Sequence, residues 1–145
     1  MRKRIKAREL ALRLLFQVIV GGLPLEDVLD NAAEAVLAAA DDFDYAEELV
    51  RGVVANLADL DRTISDYAIG WNLERLARVD RCLLELGIHE LSQNPEVPAG
   101  ICVNDAVELA RKYSTEASGR FVNGILGAFL RDRDRERQSA HVEAS

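Results

Sequence analysis

The sequence has few of the residues that build cross-linked or membrane-spanning proteins. Its 145 residues include only two cysteines and three prolines, too few for the disulfide framework of a small secreted domain. No run of about 18 apolar residues occurs, so no membrane span is predicted. Charged residues interrupt the apolar ones that follow the basic start, which argues against a secretory signal. We expect a cytoplasmic protein whose cysteines, Cys82 and Cys102, are reduced and lie in its core.

Apolar residues are abundant enough for one globular domain. They make up 49% of the chain, which is too many for a disordered protein. They recur at spacings of three and four along nearly the whole sequence, and no strand-like alternation is found. The sequence therefore predicts an all-α protein with about seven helices in two small packed bundles, residues 1–69 and 71–130, which meet near Gly70.

The predicted helices have recognisable ends. The first is stopped by Gly21-Gly22 and Pro24, the second covers residues 25–39, and one long helix runs from Asp41 to Tyr67.

In the second half, Pro98 opens one helix and Ser114 or Thr115 caps the last. In that last helix Gly124 and Gly127 are expected to admit a neighbouring helix at close range. Residues 131–145 are charged and have no apolar stripe, so we expect a frayed or disordered tail.

The motifs of catalysis and metal binding are missing. His89-Glu90 is not followed by the second histidine of a zinc-binding H-E-x-x-H helix, neither cysteine has a nearby histidine base, and no phosphate-cradling glycine loop occurs. We expect no enzymatic activity, no metal and no cofactor. A hydrolase with an unrecognised site stays as an alternative, and it would need a deep pocket with converging titratable groups.

Positive charge is concentrated at one end of this acidic chain. The net charge is −7, yet residues 1–13 carry +5 and the remainder carries −12. At 100° per residue, Arg2, Lys6 and Arg13 fall within about 40° of one helix face, and Arg4 and Arg8 form a second basic row. Such a surface is typical of a helix that binds nucleic acid or another polyanion, and the alternative is a solvated face.

Phe16 lies towards the polar side of the same helix. It could stack on an unpaired base, or it could cover a neighbouring helix.

Four segments of the chain resemble the NusB family of bacterial transcription antitermination factors: KARELALRLLFQ, WNLERLARVDRCLLELGIHEL, VPAGICVNDAVELARKYS and SGRFVNGILG. The resemblance implies an all-helical fold of two bundles. It also implies a factor that binds single-stranded boxA RNA with the ribosomal protein NusE, in antitermination complexes with RNA polymerase. Family members occur as monomers and as dimers, so a homodimer stays open.

The resemblance assigns roles to particular residues. RNA contact is implied for Arg2, Lys3, Arg4, Lys6, Arg8 and Phe16, and the helical arc adds Arg13. Contact with NusE is implied for Glu74, Arg75, Arg78 and Asp80. The chain departs from the family at Asp105, where a glutamate is common, and the shorter acid could weaken a contact.

Two other readings remain open. The protein could be a helical adaptor or dimer whose basic helix meets an acidic protein. It also resembles the N-terminal RNA-binding part of some ribosomal RNA cytosine methyltransferases, although this chain ends before any cofactor-binding pattern.

Overall fold

Seven α-helices and one short 3₁₀ helix form the protein over residues 4–35 and 40–144, the part that the computed structural model describes. The α-helices are α1 (Ile5–Ile19), α2 (Leu25–Ala35), α3 (Ala40–Ala55), α4 (Leu57–Tyr67), α5 (Arg78–Gln93), α6 (Ala99–Tyr113) and α7 (Glu116–Ala144), and the 3₁₀ helix is Leu73–Arg75. Within these residues no strand occurs, which confirms the predicted all-α fold. The end of the predicted second helix, residues 36–39, lies outside the described residues.

The prediction of a single long helix from Asp41 to Tyr67 is wrong, because the chain forms two helices, α3 and α4, that are divided at Asn56. The side-chain amide of Asn56 donates a hydrogen bond to the carbonyl of Gly52 at 2.9 Å, and its backbone departs from helical values. Such local side-chain bonds compete with helix propagation. The apolar stripe nevertheless continues from buried Val53 to buried Leu60, so periodicity alone does not reveal the break.

Helix α5 is the centre of the fold. It packs against α1, α3 and α4 on one side and against α6 and α7 on the other. The helices α1–α4 and α5–α7 thus form two groups around one continuous apolar core. Whether the chain divides into subdomains at Gly70 stays a prediction.

The predicted disordered tail is helical instead, since α7 continues through residues 131–144. Its first charged residues are attached to the rest of the protein. The hydroxyl of Tyr67 donates to Asp132 at 2.7 Å, and the guanidinium of Arg133 donates to the carbonyl of Leu91 at the end of α5. At its other end α7 begins as predicted, because the Thr115 hydroxyl accepts a hydrogen bond from the backbone N–H of Ser118 at 3.0 Å.

The close helix contacts occur at glycines other than the predicted ones. A Cβ built on Gly124 meets nothing within 4 Å, and one on Gly127 meets only the end of the Arg131 side chain. A Cβ on Gly52 would lie 2.2 Å from Nε2 of His89. Gly52 of α3 is therefore the residue that allows α5 to approach.

The prediction that both cysteines are reduced core residues agrees with the structure. Cys82 and Cys102 are buried free thiols, and His89 is a buried packing residue. Among the residues that the structure describes, no cluster of three or more His, Cys, Asp or Glu could hold a metal ion. None of the described helices is long and apolar enough to cross a membrane.

Candidate nucleic-acid interface

Helix α1 buries one side and exposes cations on another, as its sequence predicts. Ala7, Ala11 and Leu15 are fully buried, and the helix packs on α3 and α5. Lys6 and Arg13 are exposed on the same side of the helix, seven residues apart. Arg2 and Lys3, which were predicted to extend this surface, lie outside the described residues.

Arg8 is not part of the exposed basic row. It is only 6% exposed, and its guanidinium donates to both oxygens of Glu90, at 2.8 and 2.7 Å. A third donor meets Asp105 of α6 at 2.6 Å. The prediction that Arg8 presents its charge at the surface is wrong, because three of its donors already pair with two carboxylates inside the protein.

The carboxylate of Glu90 is the centre of this buried network. It accepts from Arg8, from the hydroxyl of Tyr45 and from the thiol of Cys102. Burial alone would raise the pKa of Glu90, but the hydrogen bond and charge of Arg8 outweigh it and lower that pKa. Burial likewise opposes the charge on Arg8, and its bonds to Glu90 and Asp105 raise the pKa of the guanidinium nonetheless. The shorter acid Asp105 therefore still reaches Arg8.

Arg4 lies against an aromatic ring at the start of α1. Its guanidinium carbon is 4.0 Å from the ring centroid of Tyr45 on α3. This is a cation–π contact, which attracts the charge without using a hydrogen-bond donor. Within the described residues, no carboxylate forms an ion pair with Arg4.

Arg13 is held in place by a partner on α6. Its Nε and Nη2 donate to the hydroxyl of Tyr113 at 3.2 and 3.0 Å, and that hydroxyl donates to Glu9 at 2.7 Å. Lys112 pairs with the same Glu9 carboxylate at 2.6 Å. The hydrogen bonds from Lys112 and then Tyr113 lower the pKa of Glu9, so the acid of α1 is kept ionised and paired.

Phe16 packs on the core and also lines an open cleft, so its stacking on a base stays a prediction. Its half-buried ring packs against the apolar core. It also lines a surface cleft of about 350 Å³ whose other walls are Leu12, Arg13, Gln17, Val79 and Tyr113. A mostly apolar cleft with a guanidinium at its edge has the chemistry to accept an unpaired base.

The predicted partner surface is only partly exposed. Glu74, Arg75 and Arg78 are exposed on the 3₁₀ helix and the start of α5. Asp80 is 6% exposed and accepts a hydrogen bond from the Ser118 hydroxyl at 2.8 Å. The prediction of Asp80 as an exposed charge is wrong, because the carboxylate fixes the start of α7 against α5.

Sequence reasoning missed how Trp71 is placed. Trp71 follows Gly70, near which the two bundles are predicted to meet, and a large aromatic residue there would be expected to fill that junction, but 59% of it is exposed. Its ring meets Phe121 of α7 edge to face, with centroids 5.5 Å apart. An exposed aromatic residue next to Glu74 and Arg75 adds apolar area to the predicted partner surface.

A buried acid on α5 was also missed. Glu85 is 1% exposed and lines a cavity of about 440 Å³ with Arg78, Arg81 and Cys82. Its nearest cation, Nε of Arg81, is 3.6 Å away, and Arg81 pairs more closely with Asp61, at 2.9 Å. Burial foremost, and then the carboxyl of Asp61, raises the pKa of Glu85 to about 9. No local sequence pattern distinguishes this acid from a solvated one.

Comparison with known proteins gives a consistent result over almost the whole chain. The NusB family model matches residues 5–131. The transcription antitermination protein NusB of Desulforudis audaxviator is 42% identical over 135 residues, covering 93% of this chain and 98% of that protein. A crystal structure of the antitermination factors NusB and NusE in complex with double-stranded RNA is similar with a TM-score of 0.82 and 30% identity, covering 91% of this chain and 98% of that one. The solution structure of NusB from Aquifex aeolicus gives a TM-score of 0.75 at 32% identity, covering 90% and 89% of the two chains.

Proposed function

This chain belongs to the NusB family, and we propose that it is a transcription antitermination factor that binds boxA-type single-stranded RNA together with the ribosomal protein NusE during ribosomal RNA transcription. The observation that carries the proposal is the exposed basic side of α1. Arg13 lines the Phe16 cleft and Lys6 is exposed about two turns earlier on the same helix, on a protein that is otherwise acidic. Charge of one sign, placed beside an aromatic surface, suits single-stranded RNA.

The chemistry divides between phosphates and bases. Arg4, Lys6 and Arg13 bind phosphates, which fixes the register of the strand without reading its sequence. The Phe16 cleft takes a base, and Arg13 at its edge offers donors to that base or to its phosphate. Acidic surfaces elsewhere repel RNA that is not held by α1.

The partner surface extends over the 3₁₀ helix and the start of α5. Glu74, Arg75, Arg78 and Trp71 are exposed there, and we assign NusE binding to them. NusE docked at this position widens the RNA-binding surface within an antitermination complex that includes RNA polymerase. In this role the protein works in the cytoplasm by binding alone, with no catalytic step and no cofactor.

A binding titration tests the proposal. Fluorescence anisotropy of a labelled boxA-type RNA and of a scrambled RNA is measured with and without NusE. We expect tighter binding of the boxA-type RNA, and we expect NusE and RNA to strengthen each other's binding by the same factor, since such coupling is reciprocal. Absence of RNA binding at low salt, with NusE binding intact, would support the protein-binding adaptor instead.

A further inference from the structure

Tyr45 links the buried network under α1 to its exposed end. The residue lies on α3 and is buried, with its ring face covered by the Arg4 guanidinium at 4.0 Å. Its hydroxyl donates to Glu90 and accepts a hydrogen bond from the side-chain amide of Asn94 at 3.1 Å. The ring therefore has one edge fixed in the core and one face turned to a cation at the beginning of α1.

The position of the ring is set more firmly than that of a surface aromatic residue. Glu90 is itself held by the bidentate pair with Arg8. Arg8 of α1 and Tyr45 of α3 thus donate to the same carboxylate, which fixes the two helices relative to each other. Burial of the Tyr45 hydroxyl and its bond to Glu90 raise the pKa of that hydroxyl, so the tyrosine stays neutral and keeps donating to Glu90.

We propose that Tyr45 is a positioning residue for RNA binding, which holds the Arg4 guanidinium at the start of α1 with its hydrogen-bond donors available to an RNA phosphate. The inference rests on the proposed RNA-binding function and names a residue outside α1 that sets its geometry. An arginine on a flexible helix end loses side-chain entropy when it binds a phosphate. The contact with the Tyr45 ring restricts the Arg4 guanidinium before RNA binds. It occupies the face of the guanidinium and leaves the N–H donors at its edge free.

The proposal separates the charge of Arg4 from its placement. Arg4→Lys keeps the charge but gives up the planar group that rests on the ring. Tyr45→Phe keeps the ring and gives up the bond to Glu90. Tyr45→Leu removes the ring. Arg51→Lys is the matched control, at an exposed arginine that lies on α3 like Tyr45 and pairs with Glu47 of α3 and Glu26 of α2.

The experiment measures boxA-type RNA binding by anisotropy over a salt series, together with thermal unfolding of each variant. We expect Arg4→Lys and Tyr45→Leu each to weaken binding by about 2- to 5-fold, and we expect the two changes together to weaken it no further. Tyr45→Phe keeps the ring beneath Arg4 and loses only the bond to Glu90, so it should unfold at a lower temperature and yet bind RNA like the wild type. Weaker binding by Tyr45→Phe would contradict the role of the ring. Arg51→Lys should leave binding unchanged.

The outcomes distinguish this inference from the proposed function. If the wild type binds no RNA, the proposed function fails. If the wild type binds but Arg4→Lys binds equally well, the ring contact does not matter and the inference is wrong while the function stands. Additive losses of RNA affinity in the Arg4→Lys and Tyr45→Leu double variant would also contradict the inference. Arg4→Lys is the variant to compare with in this test, because it leaves the core intact.

Discussion

The guanidinium of Arg8 and the carboxylate of Glu90 form a buried bidentate ion pair that joins residues 82 positions apart in the chain. The pair attaches α1 to α5, and Asp105 extends it to α6. Together with the buried apolar side of α1, the pair fixes this helix in one orientation. Its exposed face is the one that carries Lys6 and Arg13.

Breaking this pair should destabilise the fold. Replacement of Arg8 by Met leaves Glu90 and Asp105 as carboxylates without their cation, and removing one partner of a buried pair costs about 3–5 kcal/mol. Urea unfolding followed by circular dichroism gives the free energy directly. Arg13→Ala, on the exposed side of the same helix, should cost less than about 1 kcal/mol. Equal losses for the two variants would contradict the buried position of Arg8.

The sequence predicts the fold well and the site less well, for a physical reason. Helical periodicity reports which face is apolar, so the helices, their main ends and the basic side of α1 follow from it. The burial of Arg8 and Asp80 depends on partners on other helices, 82 and 38 residues away, which no local pattern contains. The break at Asn56 depends on one side-chain hydrogen bond inside an unbroken apolar stripe.

The tail illustrates the same limit. Residues 131–145 have no apolar stripe, so the sequence predicts a frayed or disordered tail. Their helix is attached by Tyr67 and the carbonyl of Leu91, two polar groups supplied by α4 and α5.

Stability should depend on the protonation of Glu85. The pKa of Glu85 in the folded protein, about 9, is above the ordinary value of 4.5. Between these two pH values the folded protein holds a proton on Glu85 that the unfolded chain has already released. The free energy of unfolding should therefore fall as pH rises from about 4.5 to 9. Glu90 affects stability in the opposite direction, because its pKa is lowered in the folded protein. Its contribution to the free energy of unfolding is lost as the pH falls below 4.5.

The variant Glu85→Gln isolates the first effect. It is neutral at every pH, so it should flatten the decline above pH 4.5 and raise the melting temperature at pH 8. Glu74→Gln, an exposed acid at the mouth of the same cavity, is the matched control and should leave the profile unchanged. A melting temperature of Glu85→Gln that tracks the wild type from pH 5 to 9 would show that Glu85 is ionised in the fold.

The two glycines Gly52 and Gly124 should respond to alanine in opposite directions. In Gly52→Ala the new methyl group meets the His89 ring at 2.2 Å, and such overpacking costs about 1–3 kcal/mol. In Gly124→Ala the methyl group meets nothing within 4 Å, so the helix gains up to about 1 kcal/mol of propensity. Thermal unfolding of both variants checks the pair. A stabilised Gly52→Ala would place α3 and α5 further apart than described.

Partner binding should depend on the exposed charges of the central region and not on the buried one. Reversing Glu74 and Arg78 together keeps the net charge, and it should weaken NusE binding with little change in melting temperature. Asp80→Ala should instead lower the melting temperature, because Ser118 loses its acceptor. Calorimetric titration with NusE decides the matter, and unaltered affinity in the double reversal would remove this surface from the account.

The most direct test of the central claim is the salt dependence of RNA binding. Contacts from Arg2, Lys3, Arg4, Lys6 and Arg13 predict a slope of about −3.5 for log affinity against log salt, at roughly −0.7 per phosphate contact with a single strand. Replacing Arg4 and Lys6 by Ala should flatten the slope by about 1.4, for boxA-type and scrambled RNA alike. Replacing the exposed Arg62 and Arg120, which lie on other helices, should leave it unchanged. If all three proteins gave one slope, α1 would not be the RNA-binding helix.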